Sequence, residues 1–294
     1  SSIMKTKMYV ITTMSNLHVG SGEYNMGVID NLVQRDVLNN YPNINSSSLK
    51  GALREYFESG VPAEVLTSDR KSFVKEVFGS SPKDKKENMQ QGKFRFFEAN
   101  LLSYPVRSDK TPYMRAITSS VIKELLQKIE AFNIKIDETV SEALQALSKV
   151  DVPVGSPYVF KTELNEAIVE DFYLEARYSD IIGENHLSTL NQLFGQRFIL
   201  MNSEDFTNLC DNNHLPVISR NYLENGESKN LWYEEVVPRF SQFYFTVMLD
   251  ENKEEEFEKA LEAGLVQFGG NSTIGYGYSK VQLLTSINLA NYEN

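Results

Sequence analysis

The chain is poor in cysteine, in basic charge and in long apolar runs. Cys210 is the single cysteine among 294 residues. One cysteine excludes an intramolecular disulfide and any zinc site built from several thiolates. The longest uninterrupted apolar runs, at 8–11 and 198–201, are four residues long. A membrane-spanning helix needs about 20 and a signal-peptide core about 7–15. The expectation is a soluble, intracellular and therefore cytoplasmic protein with no membrane partner. Acidic residues outnumber basic ones 40 to 29, for a net charge of −11. That argues against a free-standing nucleic-acid binder, whose footprint is usually basic. A local basic groove is still compatible, because the charge is segregated: residues 70–95 carry eight Lys/Arg and three acids, and residues 250–262 carry seven acids and two lysines. No tandem repeat or long low-complexity tract is present, and no Gly-Lys-Ser/Thr follows the glycines of the N-terminal loop. Phosphate-loop NTP hydrolysis is thereby rejected.

With 41% hydrophobic residues the chain has enough apolar material for a full core. Residues 7–14 read as a strand rich in β-branched and aromatic side chains. Candidate caps in Asn45-Ser-Ser-Ser48 precede a helix from about Leu49 to Phe57. Residues 80–91 are polar, lysine-rich and aperiodic, and read as a loop; 94–102 look strand-like. Amphipathic patterns predict helices over 120–132 and 138–150, and alternation predicts a strand over 167–178. Asn225-Gly226 signals a hairpin turn between 219–224 and 231–237. A strand at 243–249, a helix at 253–263 stopped by Gly264, a glycine-rich loop and a strand at 276–284 close the chain. The order of elements at both ends predicts a ferredoxin-like α+β sheet with helices on one face. The palm is expected from about 3–100 and 240–285, with a large insertion at about 100–240, all within one domain spanning 1–294.

Four constellations carry candidate chemistry. The first is Leu17-His-Val-Gly-Ser-Gly22, followed by Gly27-Val-Ile-Asp30 and Val33-Gln-Arg-Asp36. Its glycines suit close backbone approach to a ligand. His18 could be a general base or a loop histidine bonded to backbone, and Asp30 a metal ligand, an acid/base group or a strand terminator. The second is Ser46-Ser-Ser-Leu-Lys-Gly-Ala-Leu-Arg54, whose helix start offers free amides to an anion. Lys50 and Arg54 are four apart and share a face that suits phosphates, or merely solvent. The third is Phe268-Gly-Gly-Asn-Ser-Thr-Ile-Gly-Tyr-Gly-Tyr278, with four glycines in nine residues. It fits close backbone packing, a nucleic-acid backbone or a bulged hairpin. Tyr276 and Tyr278 could stack on bases or fill one strand face. The fourth is Leu231-Trp-Tyr-Glu-Glu-Val-Val-Pro-Arg239, whose adjacent carboxylates could bind an ion or split into one exposed and one ion-paired group. His186 and His214 lack ligand-spaced partners and are read as structural.

Taken in order along residues 8–283, these motifs resemble the RAMP superfamily and, within it, the fourth Cmr subunit family, the helical backbone of type III-B CRISPR effector complexes. The resemblance implies a modified RRM/ferredoxin-like palm with a helical insertion and a protruding hairpin thumb. It implies guide CRISPR RNA, target RNA, other Cmr subunits and further copies of the chain as partners. It also implies endoribonuclease cleavage of target RNA with a divalent cation, Mg²⁺ being the expected ion. Asp30 matches the family's cleavage aspartate and would be the metal ligand; His18, Glu234 and Glu235 match supporting catalytic positions. Lys50, Arg54, Arg35, Ser48, Gly275 and Gly277 fall where the family contacts RNA. The sequence departs from the pattern at 116–120, at Glu98 in place of Asp, and at Phe240, where glycine is common after Pro-Arg. Two rivals are a purely structural RNA-binding subunit and a stand-alone, metal-independent nuclease that processes CRISPR RNA.

Overall fold

A computed structural model describes residues 3–22, 31–211 and 214–291. Strand β1 (Met4–Thr13) is buried from Met8 onward. After the short β2 (Asn43–Ile44), helix α1 (Ser46–Glu55) buries Leu49 and Leu53, which are four apart on one face. It continues through a wider π-type turn, Tyr56–Gly60, that buries Tyr56 and Phe57. Helix α2 (Arg70–Phe78) starts where the Asp69 side chain accepts the Ser72 N–H. Then come β3 (Arg95–Phe96), β4 (Ala99–Val106) and β5 (Met114–Thr118), followed by α3 (Ser119–Ala131) and α4 (Glu138–Ser148). Short strands β6 (Tyr158–Val159), β7 (Ile168–Val169), β8 (Leu174–Glu175) and β9 (Arg177–Tyr178) lead to α5 (Glu184–Phe194), β10 (Phe198–Met201) and α6 (Ser203–Cys210). The hairpin β11 (Val217–Glu224) and β12 (Glu227–Glu235) precedes β13 (Gln242–Asp250), α7 (Glu254–Glu262), β14 (Val266–Gln267) and β15 (Tyr278–Leu283).

The fold is a mixed α and β one, organised on a single large sheet with the order β14–β15–β1–β13–β4–β5–β10–β6–β9. The pairs from β14 through β5 are antiparallel; β5 and β10 run parallel. Tyr9 of β1 lies opposite Phe245 of β13. Over this centre the ring of Phe257 from α7 stacks on Phe57 at 5.2 Å and meets Tyr9 edge-on at 6.1 Å. Burying each such ring contributes about 1.5–3 kcal/mol. The first turn of α7 carries Glu254, Glu255 and Glu256, which favour the positive end of the helix dipole. The acidic run in the sequence is therefore in part a helix-start signal.

Three expectations change. Residues 167–178 form no continuous strand: β7 and β8 fold back on each other around a turn in which Tyr173 has φ 54°, and β9 pairs with β6 instead. Gly264 does not end α7 by adopting a left-handed conformation; Ala263 is its right-handed cap. Gly264 is small because an added Cβ would lie 3.0 Å from the Tyr56 hydroxyl, which donates to the Ala260 carbonyl at 2.6 Å. Helices α2, α5 and α6 and strand β10 add elements to the expected set. The Asn225-Gly226 hairpin forms as expected, with φ of 52° and 79° at the two turn residues.

Candidate functional site

The segment after β1 is held in a cleft between the hairpin and the glycine loop. Leu17 and Val237 exchange backbone hydrogen bonds of 2.8 Å in both directions. The His18 carbonyl accepts the Gly270 N–H at 2.9 Å, and the Asn16 carbonyl accepts the Gly277 N–H at 2.9 Å. These approaches explain the glycines. A Cβ on Gly269 would lie 2.3 Å from the His18 carbonyl oxygen, and one on Gly277 would lie 1.8 Å from the Phe268 carbonyl oxygen. Gly277 is therefore packed against its own chain, and that packing by itself accounts for the glycine. Gly275 differs: its φ is 87°, it caps the short turn Ser272–Ile274, and no atom lies within 4 Å of an added Cβ.

His18 is 8% exposed, and its Nδ1 lies 2.7 Å from the carbonyl oxygen of Glu235. A carbonyl only accepts, so Nδ1 carries the proton and Nε2 keeps its lone pair in the neutral ring. Nε2 faces Gly20, where an added Cβ would sit 3.5 Å away.

The two glutamates have different tasks. Glu235 accepts the Val33 N–H at 3.1 Å with Oε1 and pairs through Oε2 with Arg35 Nη2 at 3.2 Å. Arg35 also donates to the carbonyls of Asn40, Cys210 and Asp211. Its side chain is only 11% exposed, and these bonds tie the end of α6 and the turn at Asn40 to β12. Asp36 does not pair with Arg35 either; it accepts from Asn100 Nδ2 at 2.9 Å and from the turn amides of Leu38 and Asn39.

Glu234 is a hub between the hairpin and the loop. Its Oε1 accepts from Trp232 Nε1 at 3.0 Å and Asn31 Nδ2 at 3.1 Å, and its Oε2 from Asn271 Nδ2 at 3.1 Å. Arg220 approaches Oε2 at 3.8 Å, donates to Asn271 Oδ1 at 2.6 Å and lies over the Trp232 ring at 5.5 Å. Burial by itself would raise the Glu234 carboxyl; hydrogen bonds from Trp232 and Asn31, with His18 and Arg220 nearby, outweigh it and hold the group below its usual range. Tyr276 responds oppositely: burial first and the Glu234 charge second push its phenol up.

Gln34 joins this cleft to the start of α1. It is 8% exposed, donates to the Gly20 carbonyl at 3.2 Å and to Ser48 Oγ at 2.9 Å, and accepts the Asn45 N–H at 2.7 Å. Asn45 provides no side-chain cap to α1, so the first-turn amides stay available. Ser48 is thus a bonded element of the helix start. Lys50 and Arg54 share a face but not a role. Arg54 donates to Glu58 at 2.9 Å and to the Gly79 carbonyl at 3.0 Å, whereas Lys50 makes no ion pair among the described residues.

Asp30 lies outside the described residues, as does Gly27-Val-Ile before it. Its neighbour Asn31 is fixed beside the hairpin: its N–H donates to Tyr233 and its carbonyl accepts from Glu235. Among the described residues no group of three or more His, Cys, Asp or Glu side chains can hold a metal ion. Each oxygen of Glu234 and of Glu235 already accepts at least one hydrogen bond, and Asp30, the expected metal ligand, is not among the described residues. Sequence reasoning missed Gln34, Asn31, Asn271, Arg220 and Trp232. Only Asn271 carried a signal: an asparagine inside a glycine loop is the residue that best tolerates the left-handed conformation it adopts, φ 63°.

In this mixed α and β fold a glycine loop clamps the His18 segment at the foot of a hairpin, beside a helix start that has no side-chain cap. The RAMP superfamily pattern matches residues 10–280, and the chain belongs to that superfamily. It is 27% identical over 299 residues to the CRISPR system Cmr endoribonuclease Cmr4 of Pyrococcus furiosus, covering 95% of this chain and 96% of that protein. A chain of the type III-B Cmr-beta assembly bound to cognate target RNA superposes with a TM-score of 0.71 at 22% identity, covering 95% and 97% of the two chains. The crystal structure of oligomeric Cmr4 from Pyrococcus furiosus gives 0.65 at 20% identity, covering 95% and 98%. Likeness at these identities shows a shared fold.

Proposed function

We propose that this chain is a backbone subunit of a type III-B Cmr complex that holds guide RNA and cuts the complementary target RNA. Full-length similarity to an endoribonuclease Cmr4 supports it, as does the fold shared with Cmr chains. Its partners are then the guide and target RNAs, other Cmr subunits and further copies of itself, in the cytoplasm. Among the described residues no helix is long and apolar enough to cross a membrane. The strand order β15–β1–β13–β4, with α1 and α7 in the crossovers, supports a ferredoxin-like palm over about 3–100 and 240–285. The hairpin β11–β12, carrying exposed Tyr222, Leu223 and Leu231, is the thumb of the insertion at about 100–240.

The observation that carries the catalytic part is the His18 Nδ1 bond to the Glu235 carbonyl. It fixes the tautomer in which Nε2 accepts a proton. With a target ribose in the cleft, Nε2 takes the 2′-hydroxyl proton, and the 2′-oxygen bonds to phosphorus. The phosphorus–O5′ bond then breaks, and the 5′-oxygen leaves as a hydroxyl, taking its proton from water. The products are a 2′,3′-cyclic phosphate and a 5′-hydroxyl end. The guide's phosphates are met by the free first-turn amides of α1 and by Lys50, while base pairing reads the target. A divalent-ion requirement is proposed on Asp30 alone, and no step above runs through it.

The test assembles the complex with guide and target and compares His18→Gln and Asp30→Ala with wild type. Each is expected to bind target within about twofold, a difference under ~0.5 kcal/mol. Each should cut at least ~100-fold more slowly. EDTA abolishes cleavage if Asp30 works through an ion. A specific observation favours the rival structural reading: both candidate glutamates already hold internal hydrogen bonds on both oxygens. Wild-type cleavage by both variants would refute the roles of His18 and Asp30 and promote that reading.

A further inference from the structure

A groove of about 860 Å³ opens at the foot of the hairpin, and the cleavage site proposed above does not use it. That volume falls within the ~300–1,000 Å³ span of small-ligand pockets. It is lined by the β4–β5 connection, by Phe172 and by the segment Pro238-Arg-Phe240. Tyr113 and Phe240 stack in it, with ring centroids 5.2 Å apart and planes 14° apart.

Phe240 has φ 72°, a left-handed conformation that is costly for a residue with a bulky side chain. The surroundings impose it: the Phe240 N–H donates to the Thr13 carbonyl at 2.7 Å, and its own carbonyl accepts from Arg115 Nη2 at 3.2 Å. Glycine would satisfy the same bonds without strain. A flat ring held there at a cost points to a use for the ring.

The groove's charge indicates what the ring would meet. The Arg239 guanidinium carbon lies 5.7 Å from the Phe240 ring centroid, and Arg239 is exposed. Arg107 is 70% exposed and gives one nitrogen to Asp171, the groove's single carboxylate, at 2.9 Å. Aromatic faces flanked by two arginines complement a flat base on an anionic backbone. The groove's Arg239 is also tied to the segment before the His18 site, since its N–H donates to Asn16 Oδ1 at 3.1 Å.

We propose that this groove holds a nucleotide of single-stranded RNA, its base stacked on the Tyr113–Phe240 pair and its phosphates met by Arg239 and Arg107. The proposal rests on the RNA-binding function above. The test uses the full chain with a short single-stranded RNA carrying 2-aminopurine, read by anisotropy and by quenching of the base. Phe240→Gly suits the imposed backbone, so its melting temperature should equal or exceed wild type. Tyr113→Leu keeps apolar bulk without a flat ring. Both are expected to bind about tenfold more weakly, equivalent to ~1.4 kcal/mol, with the quench lost. Wild-type affinity and quench in both variants would overturn the proposal and leave the groove to a protein partner. In that outcome RNA binding by the wild-type chain keeps the general function standing; a wild-type chain without RNA affinity removes both.

Discussion

The glycine loop allows a sharp separation of packing from ligand approach. Gly277→Ala places a Cβ 1.8 Å from the Phe268 carbonyl oxygen at a residue whose φ is 80°. The chain must move there, and two bonds move with it: Gly277 N–H to Asn16 at 2.9 Å and Phe268 N–H to Gly277 at 3.0 Å. The left-handed backbone costs about 1–2 kcal/mol, and each bond contributes about 0.5–1.5 kcal/mol. The sum is about 2–5 kcal/mol, centred on ~3.5 kcal/mol. At roughly 2–4 °C per kcal/mol for large domains, the melting temperature should fall by about 10 °C. Gly275→Ala is the control: the same kind of φ, 87°, but open space around the new methyl. It should lose only the backbone share, about 1–2 kcal/mol, or about 4 °C. Thermal unfolding by circular dichroism, beside RNA anisotropy, measures both. The reasoning is refuted if Gly277→Ala melts within about 2 °C of wild type while RNA binding disappears. That result would place Gly277 at the RNA interface.

Two further outcomes follow from the carboxylates. Glu235→Gln leaves the Arg35 guanidinium without its counter-charge in a site where the two side chains are 2% and 11% exposed. Breaking such a pair costs about 3–5 kcal/mol; three carbonyl partners of Arg35 put the expectation at the low end, and a denaturant midpoint unchanged from wild type would contradict it. For Glu234 the folded carboxyl is held below its usual range, so the unfolded chain binds more protons. Its stabilisation is present above the unfolded value of about 4.3 and is lost as pH falls through the lower folded value. Glu234→Gln should flatten that part of the acid melting curve, and an unaltered acid slope would show that the hairpin–loop network does not depend on the charge.

The elements that the sequence predicted well are those whose period and punctuation agree. Strand β1, helices α3, α4 and α7 and the Asn-Gly hairpin all combine an apolar pattern with a clear start or stop. Helix α2, Arg70–Phe78, is absent from the sequence expectations because it sits at the head of the basic stretch 70–95, whose charge masks the buried face of Phe73, Val74, Val77 and Phe78. The broken strand at 167–178 shows the opposite failure. Alternation is local, whereas the fold-back at Tyr173 and the separate pairing of β9 depend on partners distant in sequence. Phe240 is a third case. A phenylalanine gives no hint of positive φ; the conformation comes from bonds to Thr13 and Arg115.

The site itself was partly visible for a related reason. Residue types could be picked, but not their bonding. Glu234 and Glu235 are adjacent in a strand, so their side chains leave on opposite faces. One meets the glycine loop and the hairpin's Arg220 and Trp232; the other meets Arg35 and the Val33 amide. Every oxygen of the pair already accepts a hydrogen bond from within the chain. The backbone carbonyl of Glu235, which no sequence motif can encode, is what orients His18. In the proposed cleavage, that division gives the reactive lone pair to the imidazole and makes the carboxylates its scaffold. It follows that Glu235→Gln, which preserves the main chain, should retain far more cleavage per folded molecule than His18→Gln. A cut that depends on the Glu235 carboxylate itself would show an equal loss in both.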